Sequence, residues 1–231
     1  ELKVKYTGHP VNLDNIEEVD FVWRGEPLSE LVGREHCYDW IVASHVIEHV
    51  TDFVGFLNQC EKLLAPDGVI SLVVPDKRYC FDYYRWPSNT GDALQAFTDK
   101  RVRHTPGTVF DHFANASKMR DDITWTQSSR GDIKMVHTLD EAESYWKQAL
   151  KNDEYIDSHS WKFTPSSFRI ILHDLQKLGL TDLAEVGGFD TEGFEFWIQL
   201  GKRRPDSVIY DRQELNRKMM REIGQSIECL A

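Results

Sequence analysis

The chain has 231 residues, 41% hydrophobic and 12% aromatic, with 14 glycines and 8 prolines, enough for a packed core and unlike a disordered or fibrous chain. Twenty-seven basic against 38 acidic residues leave a net charge of −11, which argues against nucleic acid as a partner, because a phosphate-tracking groove needs clustered Lys and Arg. No apolar run approaches the roughly 18 residues of a membrane span, and Cys37, Cys60, Cys80 and Cys229 lack metal or redox spacing, so a cytoplasmic protein with reduced thiols and no membrane partner is expected.

In chain order, residues 1–7 read as a helix end stopped at Thr7-Gly8-His9-Pro10. Glu18 to Trp23 reads as a short strand, and Pro27 to Val32 as a brief helix closed by Gly33. Tyr38 to Ser44 is almost continuously apolar, the pattern of a strand covered on both faces. Thr51 or Asp52 then caps a helix whose apolar face is Phe53, Phe56, Leu57, Cys60, Leu63 and Leu64. The turn Ala65-Pro66-Asp67-Gly68 ends it, and Val69 to Val74 follows as a second buried strand closed by Pro75. Strand, helix, turn and strand form a βαβ unit, which implies a parallel sheet.

Residues 76–160 are polar, aromatic and irregular, with one helix from about Leu139 to Leu150 after Thr138. Such a stretch reads as an insertion lying over the carboxyl edge of the sheet, in the manner of a lid or binding loop. Its basic run Lys100-Arg101-Val102-Arg103-His104 reads as a solvated helix end. Thr164 caps a further helix carrying Phe168, Ile171, Leu172, Leu175 and Leu178, which stops at Gly179. Leu183–Val186 and Phe194–Leu200 read as an antiparallel pair. Residues 206–231 form an amphipathic helix with Leu215, Met219, Ile223, Ile227 and Leu230 on one stripe, which packs on its own domain or builds a homodimer. The organisation expected is one domain over 1–203, with 76–160 inserted, and a C-terminal helix over 206–231.

The run Tyr38-Asp39-Trp40-Ile41-Val42-Ala43-Ser44-His45-Val46-Ile47-Glu48-His49-Val50 continues into Leu63-Leu64-Ala65-Pro66-Asp67-Gly68 and Val74-Pro75-Asp76. In order and spacing it resembles the class I S-adenosylmethionine-dependent methyltransferases of the type 11 kind, with Asp67-Gly68 where that family usually has a glycine pair. Val19-Asp20-Phe21 falls where the family has the acid of its third strand. Leu178-Gly179-Leu180 and Phe194-Glu195-Phe196-Trp197 look like its last helix and its antiparallel last strands. Asp76-Lys77-Arg78-Tyr79, Phe110-Asp111-His112-Phe113 and His137-Thr138-Leu139-Asp140 resemble bacterial members that accompany glycosyltransferases.

The resemblance implies a Rossmann-like, doubly wound α/β fold with a mostly parallel sheet and an antiparallel last strand, and S-adenosyl-L-methionine as cofactor. Nothing before residue 18 matches the family's glycine loop or the acid of its second strand, so the chain is expected to lack the first strands of the fold. Asp182 to Gly188 imitates such a loop, but a strand rather than a helix follows it. By carry-over, Asp20 and Phe21 would hold adenine, and Ser44 and His45 would lie against the sulfonium end; Phe21 as plain core is the bland alternative.

Methyl transfer is an in-line displacement, so positioning supplies much of the rate, and an oxygen acceptor also needs a base near neutral pKa. The candidates are His45, His49, His112, His137 and His159, of which His45, His49 and His112 are taken as catalytic. No N/D-P-P-Y motif follows the Ser44 strand, which argues against amino-group methylation. The expected activity is therefore O-methylation of a small-molecule or saccharide acceptor; the alternative is a non-catalytic methyltransferase-like binding or scaffold domain. If residues 45–49 were helical, His45, Glu48 and His49 would share one face and match the H-x-x-E-H of certain peptidases. The βαβ context argues against a peptidase. The resemblance implies that Glu48 and His49 orient the helix beside the cofactor with no metal held; a metal on His45, Glu48 and His49 is the alternative.

Overall fold

The computed structural model describes residues 8, 12–15, 17–151, 154–202 and 207–228, with side chains as far as residue 225. The helix expected over 1–7 lies outside them, as do Cys229, Leu230 and the Ile227 side chain. After a short helix α1 (Leu28–Val32), closed by Gly33 at φ 72°, the chain forms β1 (Tyr38–Ser44), α2 (Phe53–Leu63) and β2 (Leu64–Pro75). Asp52 caps α2, its Oδ1 accepting from the Gly55 N–H at 2.9 Å. The strands pair in parallel, with Ile41 opposite Ile70, Ala43 opposite Leu72 and Ser44 opposite Val73.

The sheet is completed by β5 (Leu183–Glu192) and β6 (Glu195–Lys202), in the order β1-β2-β6-β5. Because β6 runs antiparallel to both neighbours, β1, β2 and β5 share one direction. Between β2 and β5 lie α3 (Thr90–Thr98), α4 (Pro106–Asn115), a small hairpin of β3 (Ser117–Met119) and β4 (Ile133–Met135), α5 (Leu139–Lys151) and α6 (Pro165–Lys177). The fold is mixed α/β, with three of the four strands of this sheet running in one direction and β6 running against them.

One face of the sheet meets α2, α3 and α6 in a core of fully buried Phe53, Leu57, Ile70, Leu72, Phe168 and Phe196. Phe53, Phe163 and Phe168 form a ring cluster with centroids 5.1–5.7 Å apart, in tilted and edge-on arrangements favoured by the aromatic quadrupole. The last helix, α7 (Arg212–Glu228), docks on α6 through Ser166 Oγ donating to Glu222 (2.7 Å), Arg212 to Asp174 (2.7 Å) and buried Leu215. The stripe that could serve a domain or a second copy is thus engaged at Leu215 within the chain.

Several expectations need correcting. Residues 18–23 form no strand, since a strand exists only through a paired neighbour and none lies beside them among the described residues. β1 is covered on one face only: Trp40 is 60% and Val42 71% exposed, because the crossover helix lies on the side of Ile41 and Ala43. The outer edge of β1 likewise meets no strand among the described residues, and a second helical layer over the Trp40 face is not seen among them. Residues 76–160 are more regular than their polarity implied. α3 carries a capping box between Asn89 and Asp92 but buries only Ala93 and Ala96, and α4 buries only Val109, so neither presents a wide buried apolar face.

At the start of β2, Gly68 passes so close to β1 that a Cβ there would lie 2.7 Å from the Tyr38 carbonyl oxygen. Backbone cannot yield as a side chain can, so Gly68→Ala is expected to destabilise the protein by about 1–3 kcal/mol, the usual range for overpacking. A urea titration checks this, and an unchanged midpoint would contradict the close approach.

Candidate active site

The chemistry gathers where β1 and β2 end. His45 follows β1, its N–H still bonding the Val73 carbonyl (3.0 Å), but its φ of 52° turns the chain out of the sheet. A non-glycine residue in this left-handed region is strained and persists where the surroundings enforce it. Residues 45–50 are a turn, in which the His49 N–H bonds the Val46 carbonyl, and α2 begins after the Asp52 cap, as its sequence implied. His45 and His49 therefore do not stack at helical spacing. Residues 155–161 wrap over the turn instead, with the Ser160 N–H donating to the Glu48 carbonyl (2.8 Å) and Trp161 Nε1 to the Val50 carbonyl (2.6 Å).

Three imidazoles in this region each meet a carboxylate. His45 Nε2 lies 2.7 Å from Glu195 Oε2 at the start of β6. His49 Nδ1 lies 2.8 Å from Asp157 Oδ1, and His159 Nδ1 2.5 Å from Asp82 Oδ2. Asp82 is itself held by Arg85 Nη1 (2.6 Å), while Arg85 also reaches Asp111 (2.7 Å) and the His159 carbonyl (2.8 Å). If each carboxylate accepts an N–H, the tautomers follow from the partners: His45 keeps its Nδ1 lone pair, and His49 and His159 keep Nε2.

In the middle sits Glu48, 1% exposed, with no hydrogen-bond partner for either carboxylate oxygen. His45 Nδ1 is 3.5 Å from its Oε1 and His49 Nε2 is 3.9 Å away. Burial pushes the Glu48 carboxyl above its ordinary range, opposed by the surrounding imidazoles. Burial works against charge on His49 too, but the hydrogen bond and negative charge of Asp157 outweigh it and raise its pKa. The bond from His49, against burial, holds Asp157 down to about 2. Burial is likewise the largest influence on Asp82 and works to raise it, yet His159 and Arg85 prevail and keep it well below the usual carboxylate range.

Of the residues singled out in the sequence, His45, His49 and His159 converge with Glu48. The compact ligand-bearing group is Glu48, His49 and His159, whose donor atoms lie within 4.8 Å of one another. In this group His159 stands where the alternative metal set had His45. His112 stands one step behind: its Nδ1 accepts the His159 backbone N–H (3.0 Å), and burial holds its pKa down to about 3. Its Nδ1 lone pair is thereby engaged within the cluster's own backbone. His137 is apart, packed edge-on against Phe113. Asp20 and Phe21 are exposed and not strand-borne, but they lead into Trp23, Arg24 and Gly25. These line a cavity of about 590 Å³ with His49, Thr51, Asp52, Phe56, Lys100, Arg101, Val102 and Tyr155. The basic run is therefore more than a solvated helix end: its first residues wall the cavity, and His104 is buried against Ser160 Oγ (2.7 Å) and Tyr155 Oη (3.0 Å). Asp82, Arg85, Asp157 and Glu195 had not been singled out; the i, i+3 spacing of Asp82 and Arg85 was the one local signal.

Burial, more than any neighbouring charge, depresses His104 to about 4 and His112 to about 3. The unfolded chain protonates both below its ordinary value of about 6.5 while the folded chain does not, so the unfolded state binds more protons there. Stability should fall as pH drops from about 6.5 toward 4. His49, with its raised pKa, acts with opposite sign, adding stability below about 6.5 that is lost as pH rises through its folded value. Thermal midpoints against pH for the wild type and His104→Gln check this: the variant should show the shallower acid slope, and equal slopes would contradict a buried neutral His104.

A family model described as a methyltransferase domain matches residues 9–182. No curated protein and no solved structure matches the chain. The matched span includes β1, the histidine turn, β2 and the whole segment that wraps them. The chain belongs to the class I S-adenosylmethionine-dependent methyltransferase family.

Proposed function

We propose that the chain transfers a methyl group to a hydroxyl oxygen of a small polar or glycan-like acceptor, with His45 as the base. The observation that carries this is the His45–Glu195 pair at the carboxyl end of the parallel strands, where open α/β sheets take their ligands. The residues present suit S-adenosylmethionine in part. The cavity beside His49 offers aromatic walls in Trp23, Phe56 and Tyr155 with polar groups at Thr51 and Asp52, and its volume lies in the range of small-molecule sites. Adenine would lodge there, approached by Asp20 and Phe21, with Ser44 and His45 toward the sulfonium end.

The cofactor supplies an electrophilic methyl carbon. His45 takes the acceptor hydroxyl proton on Nδ1, while Glu195 accepts the Nε2–H and balances the imidazolium charge that forms. The His45 side chain is 37% exposed, so that proton can pass on to water. Residues 76–160 act as the cover that sets acceptor choice, within a single domain over 1–203. A homodimer through α7 would use its outer face, where Met220 is exposed. No described helix is long and apolar enough to cross a membrane, and a cytoplasmic setting is part of the same reading.

Calorimetry of the full chain with S-adenosylhomocysteine tests the donor, and absence of heat would remove the reading. With a panel of hydroxylated acceptors, His45→Gln should lower kcat by about 10²–10⁴, the range of general-base catalysis, and abolish the acid limb of its pH profile. Retention of that limb would place the base elsewhere.

A further inference from the structure

We infer that Glu48, His49 and His159 form a binding site for one divalent first-row transition metal ion. The first ground is the Glu48 carboxylate. It is 1% exposed, and neither oxygen has a hydrogen-bond partner. Protonation alone does not remedy this: the nearest acceptors for a carboxyl O–H, His45 Nδ1 and His49 Nε2, stand 3.5 and 3.9 Å from Oε1, and the remaining lone pairs would still lack donors. Buried polar groups are seldom left so, and a cation is the partner that satisfies a buried carboxylate.

The second ground is independent of the first. His49 and His159 each have Nδ1 engaged by a carboxylate, Asp157 at 2.8 Å and Asp82 at 2.5 Å. This arrangement fixes metal-binding imidazoles, setting the tautomer and making the other nitrogen a better donor. Both carboxylates are themselves supported, Asp82 by Arg85 and Asp157 by the Tyr155 hydroxyl (3.3 Å). The third ground is spacing: one donor atom from each of the three residues lies within 4.8 Å of the other two. Bonds of about 2.0–2.1 Å in tetrahedral geometry put ligand atoms about 3.3 Å apart. Small side-chain adjustments around an ion bridge that difference.

Two imidazoles and a carboxylate favour zinc, iron(II), cobalt or manganese over magnesium or calcium, which take oxygen ligands. Three protein ligands leave coordination positions open. His45 Nδ1 lies 3.5 Å from Glu48 Oε1, so an acceptor oxygen taking an open position would sit beside it. That placement rests on the methyl-transfer reading; the metal site does not.

The test uses the untagged full chain, stripped with a chelator, dialysed and titrated calorimetrically with zinc and with manganese, and with cobalt under absorption spectroscopy. One equivalent of at least one ion should bind. Affinity should drop at least tenfold in Glu48→Gln and in His159→Gln, and 10–100-fold in Asp82→Asn, which touches no metal. His137→Ala should bind as the wild type does. Should Glu48→Gln fail to fold, the ligand-field bands of cobalt in wild type against His49→Ala decide the same point. A folded wild type that binds none of the three ions stoichiometrically, or binding that survives loss of Glu48 and of His159, would overturn the site. Binding of S-adenosylhomocysteine to the same preparation is scored separately, so failure of the metal site and failure of the methyl-transfer reading are distinguishable.

Discussion

The parallel pairing of β1 with β2 decides where everything else can be. Parallel neighbours cannot be joined by a tight turn; the chain must cross back, here along α2, so both strands leave the sheet at the same edge. Ser44 and Pro75 end there side by side with the start of β6, because β6 runs the other way: Pro75 lies opposite Glu195. Were β6 parallel, Glu195 would sit at the far end of the sheet. The His45–Glu195 bond, across 150 residues of chain, is a direct consequence of one strand's direction.

Around this edge the segment after β2 builds a polar shell whose members depend on one another. Asp76, just after β2, is fully buried, accepts from Arg78 (2.5 Å) and Thr191 (2.5 Å), and so ties the strand exit to β5. Asp82, Arg85 and the His159 side chain are buried together and mutually satisfied. Removing one partner from such a group typically costs about 3–5 kcal/mol, because the other charge is left buried and uncompensated. The shell therefore holds its imidazoles in one orientation, and single substitutions in it would not be additive. Against this background the unpartnered Glu48 carboxylate stands out as a gap in an otherwise closed set of bonds.

The local parts of this arrangement were legible in the sequence. Apolar patterning located β1, α2 and β2, and the Thr164 and Thr138 caps located α6 and α5, because such signals are carried by neighbouring residues. Residues 18–23 were misleading, since β propensity counts only where a partner strand exists. At residues 45–49 the H-x-x-E-H spacing would share a face only on a helix, and the Asp52 cap starts the helix later and leaves a turn. The polar partners were beyond reach. Nothing local joins His159 to Asp82 or His49 to Asp157, and Asp157 sits in an irregular stretch that no periodicity marks. The turn's histidines could be noticed; what they bond to is a property of the tertiary fold.

The three imidazole–carboxylate pairs are chemically alike, and solvent access separates them. His159 is 5% exposed and its Asp82 partner 2%, so the pair is held in one geometry and is suited to holding something in place. His45 is 37% exposed and strained at φ 52°, on a backbone pinned to Val73, which fixes where its ring begins. Its ring is open to water. His49, at 31%, lies between them and borders the cavity beside Trp23. A cation on Glu48, His49 and His159 and a base on His45, as proposed above, would therefore use different nitrogens of one cluster without competing. A cation held there would also lower the pKa of a hydroxyl beside it.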